Sequence, residues 1–159
     1  MANLRGAITA LLVLAGCTAM QAAGASGHRL PADSISFEIS SWGYPMESFR
    51  IARDGSGEYR RAPEFRAAVQ VHRFNVGPDG FARIRAVLAS IEHYTARAPV
   101  CGSRATDFPY GQIVWQTGAR RVSVSFDVGC QGPEMQGVVA VAHDAARLAE
   151  QFSRTNSVR

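Results

Sequence analysis

Four histidines, three cysteines and the serines Ser56 and Ser103, each beside glycine, are the residues of this chain whose types invite a chemical reading. A zinc centre needs three or four ligands converging on one point. His28, His72, His93 and His143 include no pair at the spacing of a helical HExxH, so the sequence offers no metal site and implies no cofactor. A serine hydrolase needs a nucleophile beside a base, with an oxyanion hole facing both. Ser56 between Gly55 and Gly57, and Ser103 after Gly102, come nearest to one, with His72 or His143 as the base. Neither serine stands in a GxSxG step, and Asp54-Gly55-Ser56-Gly57 already has the composition of a hairpin turn. No P-loop and no GxGxxG occurs, which leaves nucleotide binding without support.

The remaining chemistry belongs to Cys17. Residues 1–5 carry a single positive side chain, Arg5, and residues 6–15 form an unbroken small and apolar run, the layout of a secretory signal. A run of about ten residues is half the roughly 20 that a spanning helix needs. Leu14-Ala15-Gly16 directly before Cys17 resembles the bacterial lipoprotein signal. The resemblance implies a diacylglycerol thioether on Cys17, cleavage after Gly16 and acylation of the new amine. The alternative is an ordinary signal peptide cut near Ala19 or Ala23. At about 0.8 kcal/mol per buried methylene, one acyl chain holds marginally and two or three hold stably. In such lipoproteins an aspartate after the cysteine favours the inner membrane. Thr18 stands there instead, which points to the outer membrane, facing the periplasm.

Beyond the signal the chain is long enough for one core that buries roughly 65% of the surface exposed on unfolding. All 17 basic residues are arginine, and without Arg5 there are 16 against 13 acids, a formal +3. That balance suits an anionic envelope component. The arginines are scattered rather than gathered in a run, which argues against nucleic acid. With Cys17 lipidated, Cys101 and Cys130 remain, and in an oxidising compartment they are expected to pair. The closed loop contributes about 3.5 kcal/mol on the chain-entropy model.

The elements that must position these residues follow from periodicity. Residues 17–32 are rich in Ala, Gly and Ser and read as a flexible tether. From Ser34, Ile35, Phe37 and Ile39 alternate with polar residues as a half-buried strand. Residues 41–45 break it, and Phe49 and Ile51 resume a strand that ends at the Asp54–Gly57 turn, with Tyr59 opening the return strand. A further strand is expected over residues 67–76. Pro78 opens a helix whose Phe81, Ile84, Leu88 and Ile91 share one face. Residues 113–116 and Val122, Val124, Phe126 and Val128 form a hairpin. Pro133 opens the last helix, with Met135, Val138, Ala142, Ala145, Ala149 and Phe152 on one face. The expected domain is a single α+β unit over residues 33–153, a mainly antiparallel sheet with two helices on one face, followed by a frayed tail at residues 154–159.

Ser41, Trp42, Gly43, Tyr44 and Pro45, followed by Phe49, Ile51, Asp54, Gly55 and Tyr59, resemble the opening of a family of small exported bacterial domains of unknown function. Its members carry an aromatic-Gly-x-x-Pro step, a D-G turn and a tyrosine, and the order of helix, hairpin and closing helix matches over residues 34–152. In the family, cysteines flank the aromatic-Gly step. Here Ser41 and Tyr44 stand near those places, and the pair has moved to Cys101 and Cys130.

Folding accounts least for Trp42 and Tyr44, two aromatics around a glycine. Such groups supply rigid contact area at interfaces; the alternative is that Trp42 caps the core. Arg60 and Arg61 are a second candidate contact pair, or else solvated strand-edge charges like Arg120 and Arg121. The expectation is a non-catalytic envelope lipoprotein, bound to the membrane through its lipid, whose domain takes an envelope protein or anionic envelope component. The rival is an envelope hydrolase acting on peptidoglycan or esters. A third option, a periplasmic inhibitor, would be an all-β barrel.

Overall fold

A computed structural model describes residues 29–158. Cys17, His28, the signal segment and the tether up to residue 28 lie outside them. Six strands, β1 (Ser34–Ser41), β2 (Tyr44–Ala52), β3 (Ser56–Arg61), β4 (Gln70–Asn75), β5 (Tyr110–Thr117) and β6 (Arg120–Asp127), form one sheet in the order β4-β3-β2-β1-β5-β6. Every neighbouring pair is antiparallel. The sheet is open, so the barrel expected of an all-β inhibitor is absent from the fold. Helices α1 (Gly77–Leu88) and α2 (Pro133–Thr155) complete an α+β domain, with a 3-10 segment, Ala89–Thr95, after α1.

Alternation along each strand decides which face is covered. One row across the sheet reads Phe74, Gly57, Ile51, Ile35, Trp115, and the next Tyr59, Phe49, Phe37, Ile113, Val124. All of these side chains are buried. Gly57 leaves room for the Phe74 ring, since a Cβ there would lie 2.4 Å from its tip. Phe81, Ile84 and Leu88 of α1 and Val138, Ala142, Ala145, Ala149 and Phe152 of α2 close over the same face. The small alanines let α2 approach closely. Both helices begin at a proline in the first turn, where the missing N–H has no partner to lose.

The strands give the sheet two ends, about 23 Å apart along β1 at 3.3 Å per residue. At the near end the described chain begins. Leu30 N–H donates to Glu92 Oε2 (2.8 Å) and Leu30 O accepts from Arg85 Nη2 (2.7 Å), so its peptide is clamped by two side chains of the helical layer. Pro31 O accepts from Thr117 Oγ1, and Asp33 pairs with Arg53 and Gly118 N–H. The far end carries the β1–β2 turn, the β3–β4 connection, and the start of β5.

Several boundaries differ from the sequence expectation. The tether was expected to run to residue 32, but Leu30 to Ala32 belong to the body, with Ala32 buried. The break expected at residues 41–45 shrinks to Trp42 and Gly43, and β2 already starts at Tyr44. Pro45 is tolerated inside β2 because the β3 pairing stops at Glu47 and the β1 register slips by one residue, leaving Met46 as a bulge. Ser56 and Gly57 are already strand, ahead of Tyr59. The strand expected from residue 67 begins at Gln70. The tail expected to fray is helical through Thr155, and residues 156–158 then line the β4 edge: Asn75 N–H donates to Asn156 O, and Val158 N–H to Arg73 O. Strand-edge hydrogen bonding explains why so polar a segment is fixed.

Candidate functional site

The far end collects the large aromatics that the core does not use. Trp42 (φ 54°) and Gly43 (φ 77°) occupy the two central positions of the β1–β2 turn. Both φ values are positive, as a two-residue turn matched to strand twist requires. Trp42 is 66% exposed at that tip, so it does not cap the core; the core tryptophan is Trp115, 1% exposed. Only Tyr44 stands between Gly43 and Pro45, one residue fewer than an aromatic-Gly-x-x-Pro step.

Tyr44 packs edge-on against Phe65, their ring centroids 5.4 Å apart. Arg66 lies over both, its guanidinium carbon 4.7 Å from the Tyr44 centroid and 5.2 Å from that of Phe65. Such stacking holds the cation without an acidic partner. Arg66 takes φ 65° to do so, and Asp107, at the other side of this end, takes φ 70°. These residues are not glycine, and strained backbone of this kind concentrates at functional loops. Behind the patch runs a groove of about 360 Å³, walled by Ile39, Met46, Pro63 and Val128 with Glu47 and His143 on its rim. Phe108 and Tyr110, at the start of β5, are also exposed at this end.

Tyr44 and Trp42 were legible as candidates, whereas Phe65, Arg66, Phe108 and Tyr110 were not. Each lies in or beside a connection without period; the available signal was an aromatic with no apolar partner at strand or helix spacing.

Arg60 and Arg61 do not act together. Their side chains leave β3 on opposite faces, as alternation demands. β3 is also an interior strand, so neither guards an edge. Arg60 pairs with Glu58 on the open face. Arg61 turns towards the helices and reaches Glu150 Oε1 at 3.0 Å, which Arg154 also meets at 2.7 Å. Buried Tyr59 donates to Glu47 Oε1 (2.9 Å). Burial, reinforced by the Glu47 carboxylate, pushes the Tyr59 phenol well above its ordinary range. The Tyr59 phenol in turn raises the pKa of the Arg61 guanidinium. This chain of groups ties β2, β3 and α2 together and keeps the phenol protonated, which suits a structural strut better than a proton-transfer group.

The two histidines proposed as bases lie apart. His72 is exposed on β4 in a groove of about 630 Å³ that also holds Tyr59, Glu150 and Ser153. His143 borders the far-end groove. Neither imidazole hydrogen-bonds to a carboxylate or hydroxyl among the described residues. Ser56 is held by Asp54, whose Oδ1 accepts from both Ser56 N–H (2.9 Å) and Ser56 Oγ (2.6 Å). These bonds depress the Asp54 pKa and close the turn that leads into β3 at Ser56. Among the described residues, no three His, Cys, Asp or Glu side chains stand close enough to hold a metal ion, and no helix is long and apolar enough to cross a membrane.

Cys101 and Cys130 form a disulfide, with Cα atoms 5.5 Å apart. It fastens the connection before β5 to the rim just past β6, beside the Arg104–Cys130 bridge. Glu134, in the first turn of α2, holds the same connection: it accepts from both Arg97 Nη atoms (2.9 and 3.0 Å) and from Val100 N–H (2.9 Å). The Arg97 hydrogen bonds, with that of Val100, pull the Glu134 pKa down to about 2.

No protein-family model matches this chain, and no curated protein matches it.

Proposed function

We propose that the chain is a non-catalytic binding module of the bacterial envelope, tethered through a lipid on Cys17 to the outer membrane and taking its partner at the far end of the sheet. One observation carries the reading of the site. The exposed aromatics Trp42, Tyr44, Phe65, Phe108 and Tyr110, with three non-glycine residues at positive φ, gather at the end opposite the one where the chain emerges from its tether.

The envelope address is supported by the Leu14-Ala15-Gly16-Cys17 step and by a disulfide of a kind that persists outside reducing compartments. The patch is apolar with one stacked cation, Arg66, and so fits an envelope protein that offers apolar side chains beside an acidic group. Metabolic labelling with a fatty-acid analogue tests the address: the chain is expected to be marked, and Cys17→Ser to lose both the mark and membrane partition. The site is tested by co-purification from the native envelope. Trp42→Ala with Phe65→Ala is expected to release whatever partner the unaltered chain retains, and retention by the double variant would contradict the assignment.

A further inference from the structure

The two edges of the sheet are treated differently. β4 is covered by the chain's own tail, through the Asn75–Asn156 and Arg73–Val158 hydrogen bonds. β6 pairs with β5 in unbroken register from Arg120 to Asp127, and among the described residues it has no neighbouring strand beyond β5. Proline, glycine and bulges, which blunt natural edges, are missing from this strand. The backbone of segment 103–105 bonds to Gly129 and Gln131, past the end of β6, and of β6 itself only the Asp127 side chain is engaged, by Arg104.

We propose that the β6 edge is a self-association surface, which pairs antiparallel with β6 of a second copy about a two-fold axis through Val124, normal to the sheet. The strand is self-complementary about that point. Directly opposite residues in an antiparallel pair share a face. On the open face Arg121 then meets Asp127 of the second copy, twice by symmetry, and Ser123 meets Ser125. On the helix face only the half-buried Val122 is open towards the seam, since Val124 and Phe126 are buried within their own copy. Arg121 is exposed and has no ion pair among the described residues. Asp127 already accepts from Gly129 N–H (2.9 Å) and holds Arg104 (3.1 Å), but a carboxylate has sites for further donors. Sliding the register by two residues either way loses the arginine–aspartate match. An isologous seam of this kind closes at two copies. The two-fold turns the second copy end over end; Asp127 lies beside Tyr110, but the Trp42–Gly43 turn joins β1 and β2, further from β6, and the inference stands independently of the envelope reading.

Sedimentation equilibrium on the full chain carrying Cys17→Ser gives the first test, with a concentration-dependent mass of two chains expected. Adding Ser123→Cys and Ser125→Cys sets opposed Cα atoms about 4.5–5.5 Å apart, within disulfide reach. A covalent dimer is expected on oxidation, while Ser48→Cys, in the middle of the sheet, stays monomeric. Arg121→Asp sets carboxylates opposite each other twice and is expected to weaken association on the order of a hundredfold. A single-chain mass at every concentration, cross-linking as ready from Ser48→Cys, or an Arg121→Asp variant that associates as before would each overturn the proposal. Should the cysteine variants fail to fold, the unaltered chain and Arg121→Asp decide it alone.

Discussion

At the near end of the sheet positive φ falls on Gly55, Gly77 and Gly118, whereas at the far end Trp42, Arg66 and Asp107 carry it beside Gly43. Of these three, Gly55 is packed, lying against the Gly77 backbone 2.1 Å from where a Cβ would be, while Gly77 and Gly118 have open space at that point. Around Gly43 nothing lies within 4 Å of that point. One end places glycine where the fold demands it. The other places a tryptophan, an arginine and an aspartate in conformations that cost about 1–2 kcal/mol each. Their side chains do not enter the core, so packing does not explain why larger residues stand there. The contrast separates the part of the molecule that holds itself together from the part that faces outward.

The largest effect should come from forcing a side chain into the packed end. Gly55→Ala meets both the Gly77 backbone and a φ of 85°, and is expected to lower stability by on the order of 4 kcal/mol in denaturant unfolding. The same change at Gly43 meets only its φ and should cost about 1–2 kcal/mol. Equal losses would erase the distinction between the ends.

Next in size is the disulfide, which holds the outer loop of the far end. Replacing Cys101 and Cys130 together by serine should cost about 3.5 kcal/mol by the same unfolding measurement. A loss near zero would show that Glu134 alone fixes that connection.

The contribution of Glu134 should appear as a pH dependence. Its folded pKa of about 2 lies below the ordinary 4.5, so the stability it contributes is full above about 4.5 and is lost as pH falls towards 2. Thermal scans from pH 6 to pH 2 should show Tm falling through that window, and Glu134→Gln should remove part of the fall. Partial exposure of the Arg97–Glu134 pair to solvent keeps the effect modest.

The smallest stability effect belongs to the proposed contact surface. Trp42→Ala should change unfolding by no more than about 0.5 kcal/mol, as exposed substitutions do. A loss of several kcal/mol would make Trp42 a structural residue and return the far end to the core.

The fold class was legible because Ile35, Phe37 and Ile39 alternate cleanly and Phe81, Ile84, Leu88 and Ile91 repeat at helical spacing. The ends of elements were not, because they depend on partners distant in sequence. Pro45 reads as a break until the β3 pairing is seen to stop at Glu47. Residues 156–158 read as frayed until the β4 edge supplies their hydrogen bonds. Of the site, Trp42 and Tyr44 stood out by type, and the disulfide by the number of cysteines. Phe65 and Arg66 did not, since only the β3–β4 connection folding back brings them to Tyr44. Arg60 and Arg61 looked like a pair in sequence, and the strand's alternation parts them.

Photo-crosslinking in the cell that makes the protein compares the two ends most directly, with a photoreactive residue placed at Trp42 in one version and at Asp54 in another. The account predicts a discrete partner adduct from Trp42, abolished by Phe65→Ala, and none from Asp54. Adducts from Asp54 alone, or equally from both, would contradict it.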